Sequence, residues 1–112
     1  MSDYEPGDVL IVRFPFQEDP TKFKIRPALL LSVEGDTYTV CRITKTNRSG
    51  SNKGEWIHSD TLVGGELGLN CDSFIDLDTI RHIRASFIIH HKSPIGEYRE
   101  LGILLSKYDI EL

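Results

Sequence analysis

Arg26 stands immediately before Pro27, at the mouth of the apolar run Ala28-Leu29-Leu30-Leu31. A residue preceding proline is driven to extended backbone, so this guanidinium projects from a restricted position. Its N–H fork matches the oxygens of a phosphate group. Thr44 ends a second apolar segment, Cys41-Arg42-Ile43-Thr44, beside Lys45. Its hydroxyl can donate to the same kind of group. Cutting an RNA phosphodiester without a metal requires an activated 2′-hydroxyl, a stabilised phosphorane and a proton for the departing 5′-oxygen. Arg26 and Thr44 suit the second task, because preorganised donors lower the energy of developing charge. The same residues also admit a structural reading, with Arg26 paired to Glu18 or Asp19 and Thr44 capping a turn.

Asp76 and Asp78 lie two apart in a strand-like segment, which puts both carboxylates on one face. Close like charges raise one pKa, as acid–base work requires. Ion pairs to Arg81 or Arg84 are the structural alternative. The four histidines, His58, His82, His90 and His91, stand at no recognised ligand spacing. There is no glycine-rich phosphate loop, no Gly-x-Ser-x-Gly and no His-Glu-x-x-His, so neither metal nor cofactor is expected. Cys41 and Cys71 form no metal spacing. The acidic start, Met1-Ser2-Asp3-Tyr4-Glu5, lacks the basic-then-apolar pattern of a secretion signal. The cysteines therefore read as free thiols in the cytoplasm.

The net charge of −4 is unevenly spread. Between Lys22 and Lys53 lie seven basic residues and two acidic ones, a local +5 that leaves −9 for the remainder. Such a segment can focus a positive field on one surface of an acidic protein. Two solvated faces that happen to segregate would look the same in the sequence.

These side chains must be carried by short strands. At 112 residues, with 39 % apolar and 27 % charged residues, residues 1–112 make one globular domain. No apolar run reaches the ~18 residues of a membrane span. Val9 to Phe14 reads as a strand, and Pro15 and Pro20 leave a loop from Phe16 to about Ile25. Ala28 to Val33 reads as a central strand buried on both faces. Glu34-Gly35-Asp36 turns the chain into a strand from Thr37 to Ile43. Thr46 to Gly54 is a polar, cationic and mobile loop. Glu55 to His58, Ser73 to Leu77, Thr79 to Ile83, Phe87 to His90 and Tyr98 to Leu104 read as further strands. Gly64-Gly65 and Gly68 suggest an irregular connection, and Ser106 opens a helix of at most two turns. Many short strands with little helix predict a mainly β domain, an SH3-like barrel, with an OB-fold as the competitor.

A Gly7-Asp8 strand, Arg26-Pro27 opening the next strand and a strand closing on Thr44 together resemble the MazF/PemK toxins, small endoribonucleases of toxin–antitoxin pairs. The pattern spans residues 7–45. It continues in Leu69-x-x-Asp72-Ser73 and in Asp78-Thr79-Ile80-Arg81-His82-Ile83, which is similar to the family's Asp-Gln-x-Arg-Thr-Ile segment. The resemblance implies sequence-selective, metal-independent cleavage of single-stranded RNA to a 2′,3′-cyclic phosphate and a 5′-hydroxyl. It further implies a homodimer, a cognate antitoxin covering the RNA groove, and growth inhibition when the antitoxin is absent. Arg26 and Thr44 would act at the phosphate, Asp78 would be the matching acid, and Arg81 a substrate-side cation. Lys22, Lys24, Lys45, Arg48 and Lys53 would bind RNA.

The chain also departs from the family. Pro20-Thr21-Lys22-Phe23 lacks the family's loop glutamate, although Glu18 and Asp19 are near. Asp76 stands where some relatives carry arginine, and the C-terminal helix is truncated. These departures point to the alternative, a catalytically weak nucleic-acid- or protein-binding module on the same barrel.

Overall fold

A computed structural model of the chain describes residues 4–91 and 99–112. It is mainly β. Strands β1 (Val9–Pro15), β2 (Phe23–Glu34), β3 (Thr37–Thr44), β4 (Gly54–Ile57), β5 (Ser73–Arg84) and β6 (Ile88–His91) form one antiparallel sheet. Their order is β4-β5-β3-β2-β1-β6. Among the described residues the edge strands β4 and β6 do not pair, so the mainly β fold is as expected but the sheet is open and does not close into a barrel. Helices α1 (Leu62–Leu67) and α2 (Arg99–Ser106) complete the fold, with a single 3-10 turn, Ala85–Phe87, between β5 and β6. Neither helix is long and apolar enough to cross a membrane.

The strand pattern of β2 explains the core. Ala28 to Leu31 are all buried, yet they serve opposite faces. Leu29 and Leu31 join Val9, Cys41, Ile43, Ile75, Leu67, Leu101 and Leu105 in a cluster beneath the two helices. Ala28 and Leu30 join Leu10, Val12, Phe14, Tyr38, Val40 and Ile83 on the other side. A strand buried on both faces must be apolar at successive positions, and this one is.

The second face is concave. Arg81 Nε on β5 donates to the Pro15 carbonyl on β1 at 3.0 Å. Two strands lie between them in the sheet. In a flat sheet three strand spacings would separate them by about 14 Å. The sheet therefore curls around the cluster that contains Phe14.

Four expectations are corrected. Gly64-Gly65 lies within α1, not in an irregular link. Thr61 caps this helix by accepting from the Gly64 N–H, and Gly68 ends it in the left-handed conformation at φ 67°. A Cβ at Gly64 would meet the His58 carbonyl at 2.4 Å, so close approach to the preceding turn explains the glycine. Second, Arg99 to Leu104 is helical, with Leu101 and Leu105 buried one turn apart; Tyr98 lies outside the described residues. Third, Ser106 ends α2 and does not begin a helix. Tyr108 N–H and Ile110 N–H both reach back to the Leu105 carbonyl. The β5 segments read as two strands form one, interrupted by a bulge.

Candidate functional site

Register puts a set of charged side chains on the concave face. Arg26 pairs with Val12, whose neighbour Phe14 pairs with Lys24, so Arg26 and Lys24 share the face of Phe14. Arg42 pairs with Ala28 on one side and Asp76 on the other. Arg81 pairs with Val40. These three arginines line one open cleft of about 260 Å³, together with Phe14, Phe16, Glu18 and Thr79.

Phe14 forms part of the cleft wall. The Arg26 and Arg81 guanidinium carbons lie 5.6 and 5.3 Å from its ring centroid. Both are close enough for cation–π attraction. Arg81 is further held by its bond to Pro15 and by Nη1 donating to the Ile80 carbonyl at 2.8 Å. Arg26 is held differently. Its Nε is buried without a hydrogen-bond partner among the described residues, and no carboxylate pairs with it there. Burial pushes the Arg26 pKa below the usual guanidinium value, and the charges of Arg42 and Arg81 lower it further. An arginine remains a cation at neutral pH even so. The cleft thus concentrates positive charge that its own acids only partly neutralise.

Asp76 is the acid committed to this site. It is fully buried, and its carboxylate accepts from Arg42 Nε (3.2 Å) and Nη2, Asn52 Nδ2 (3.1 Å), Thr79 Oγ1 (2.9 Å) and Asp78 N–H (3.1 Å). Burial pushes its pKa upward, but Arg42, Thr79, Asn52 and Asp78 outweigh it and the net shift is downward. The expectation that Asp76 and Asp78 share a face and raise a pKa is therefore corrected. The bulge in β5, between the Arg42–Asp76 and Cys41–Ile80 pairs, interrupts the alternation. Asp78 is exposed, and it accepts from the Lys53 N–H at 2.6 Å without lining the arginine cleft. The partner of Asp76 is Arg42, not Arg81 or Arg84.

Thr44 lines a separate cavity of about 130 Å³ with Pro27, Lys45 and Cys71. Continuing the register by two residues would set Thr44 opposite Arg26, but the β2–β3 ladder ends at Ala28–Arg42. Pro27 lies just outside that ladder, where a residue without an N–H is tolerated. The Thr44 hydroxyl accepts weakly from the Thr46 N–H at 3.3 Å.

The other sequence candidates scatter. Lys22 and Arg48 are exposed on loops, and Lys45 accompanies Thr44. Lys53 Nζ lies 5.7 Å from the Tyr108 ring centroid, and Tyr108 packs on the helix-side cluster, away from the concave face. The loop from Thr46 to Gly54 is anchored at its end by Asn52 and Lys53 to Asp76 and Asp78.

Sequence reasoning treated Arg42 only as part of a basic segment, and it missed Asn52. One signal was available. Arg42 and Thr44 share a strand face, so any argument placing Thr44 at a phosphate also placed Arg42 near it. Glu18, offered as a possible partner of Arg26, lines the cleft instead without an ion pair among the described residues. A second hollow of about 390 Å³ adjoins the cleft through Phe16, Gln17 and Arg81, and is lined also by Pro20, Ile80 and His82. Comparison with protein-family models and with curated proteins finds no match for this chain.

Proposed function

We propose that this protein is a metal-independent endoribonuclease of the MazF/PemK type that cuts single-stranded RNA at the arginine cleft. The observation that carries the reading is Arg26, half-buried against Phe14 beside Arg42 and Arg81 and without a carboxylate partner among the described residues. A desolvated, unneutralised cation facing an open cleft is suited to a phosphate oxygen. Glu18 lines the same cleft and can take the proton of the 2′-hydroxyl. The 2′-oxygen then attacks phosphorus, and Arg26 and Arg81 stabilise the phosphorane. The 5′-oxygen leaves with a proton from water, giving a 2′,3′-cyclic phosphate and a 5′-hydroxyl. The hollow beside Phe16 has room for a flanking base. On this reading the protein works in the cytoplasm as a homodimeric toxin, and an antitoxin covers the cleft.

A second reading, a module that grips RNA without cutting it, draws on the placement of Thr44 and Asp78 outside the cleft. One experiment separates the two: mixed-sequence single-stranded RNA is incubated with the purified protein in EDTA, and the product ends are identified. Cleavage should proceed. Arg26→Ala should slow it by about 10²–10³-fold while RNA affinity changes only a few-fold. Wild-type rate in a folded Arg26→Ala protein, or activity that vanishes in EDTA and returns with a divalent ion, would refute the endoribonuclease mechanism.

A further inference from the structure

The sequence resemblance supplies no role for Arg42, yet it is the cation of the cleft that a buried carboxylate holds in place. We propose that Arg42 is a phosphate ligand of this cleft and that Asp76 is the residue that positions it. The inference rests on the reading of the cleft as a phosphate site, and it names a ligand that reading does not require.

Three observations converge. Arg42 lines the cleft with Arg26 and Arg81. Its Nε and Nη2 are both taken by one oxygen of the buried Asp76, while no hydrogen bond engages Nη1 among the described residues. A guanidinium anchored along one edge keeps its remaining donors in a fixed direction. Asp76 in turn is fastened by Thr79, Asn52 and the Asp78 N–H, from the bulge and from the end of the loop. It cannot swing away with its arginine. The bulge is what makes this possible, because it brings Thr79 to the carboxylate and to the cleft together.

The charge balance points to the ligand. Three guanidinium groups face the buried Asp76 carboxylate and, at the rim, the exposed Glu18, which leaves the cleft net positive before any ligand binds. A doubly negative phosphate, or the dianionic phosphorane of RNA cleavage, complements that set. A structural ion pair alone would not need Arg26 and Arg81 beside it, since like charges brought together are unfavourable without an anion.

Binding of inorganic phosphate by the full chain, measured by titration calorimetry, tests the proposal without requiring catalysis. Removing Arg42 alone strands a buried carboxylate, so the paired variant R42M/D76L takes out both charges and replaces them with apolar volume. It should weaken phosphate binding about 10- to 100-fold, with Arg42→Lys intermediate. Asp76→Asn should weaken binding while Arg42 is present. Once Arg42 is Met, R42M/D76N should bind no more weakly than Arg42→Met with Asp76 intact, because Asp76 acts only through Arg42. A structural role for Asp76 would instead lower affinity whichever residue stands at position 42. If R42M/D76L binds phosphate as well as wild type while Arg26→Ala binds tenfold more weakly, the cleft is real and Arg42 is not its ligand. If wild type binds no phosphate, or no arginine substitution alters binding, both this proposal and the cleft reading fall. Intact binding that depends on Arg42, with no RNA cleavage, would remove the endoribonuclease reading and leave the Arg42 assignment standing.

Discussion

Asp76→Ala should be among the most damaging single substitutions in this protein. The carboxylate is wholly buried and accepts five hydrogen bonds, two of them from Arg42. Truncation leaves the Arg42 guanidinium, the Asn52 amide, the Thr79 hydroxyl and the Asp78 N–H without their acceptor. Each neutral bond contributes about 1 kcal/mol and each charge-assisted bond about 1.5–3 kcal/mol. Against these stands the desolvation of the carboxylate, which truncation relieves. Breaking one side of a buried pair nets a loss of about 3–5 kcal/mol. For a domain of this size that is a large share of the total stability, and Tm should fall by roughly 10–20 °C.

Urea denaturation at neutral pH, followed by circular dichroism, measures the loss directly. The paired variant R42M/D76L should recover most of it. The pH dependence follows from the lowered pKa of Asp76 in the folded state. Its stabilisation is fully present above the unfolded aspartate value of about 3.9 and is lost as pH falls through the lower folded value. The gap between wild type and Asp76→Asn should therefore hold at neutral pH and close in acid. A cost below about 1 kcal/mol for Asp76→Ala, or a gap that widens in acid, would refute the account of Asp76 as a satisfied buried anion.

Two further outcomes concern the helices. The Glu66 carboxylate on α1 accepts from the Glu100 and Leu101 N–H groups at 2.9 and 3.0 Å, capping the start of α2 from another element. Glu66→Ala should cost about 1–2 kcal/mol, and hydrogen exchange should speed up first in α2; uniform acceleration across the sheet would contradict a local cap. Tyr108 donates to the Gly54 carbonyl and to Glu55, and burial with the Glu55 charge pushes its pKa up to about 12. Ultraviolet titration of the phenols should contain a late step near pH 12 that Tyr108→Phe removes; a late step that survives the substitution would assign it elsewhere.

Much of the architecture was legible in the residues themselves. The β1–β3 strands follow from apolar alternation and from the continuous run Ala28 to Leu31, which can be buried on both faces only in a central strand. Both helices were misread for local reasons. Gly64-Gly65 disfavours a helix on propensity alone, and only the close approach of α1 to the His58 turn requires the first of them. Residues Arg99 to Leu104 carry enough apolar side chains to pass for a strand. Their helical form is favoured by Leu101 and Leu105 packing on the sheet and by a cap from Glu66, thirty-five positions from Leu101.

The candidate site divides in the same way. Arg26 was identifiable because proline restricts the residue before it, which is a property of neighbouring bonds. Its company was not. Phe14 and Arg42 come near Arg26 through the pairing of β2 with its two neighbours, and Arg81 joins them because the sheet curls until it reaches Pro15 across two intervening strands. The pairing of Asp76 with Arg42 depends on a bulge that no period-two reading of β5 contains. Sequence by itself determined which residues could carry charge and which runs could be strands, because those are properties of side chains and short backbone stretches. Tertiary structure decided which charges are desolvated, which are neutralised and which are left facing a cleft, because those depend on distances between residues that the chain order does not set.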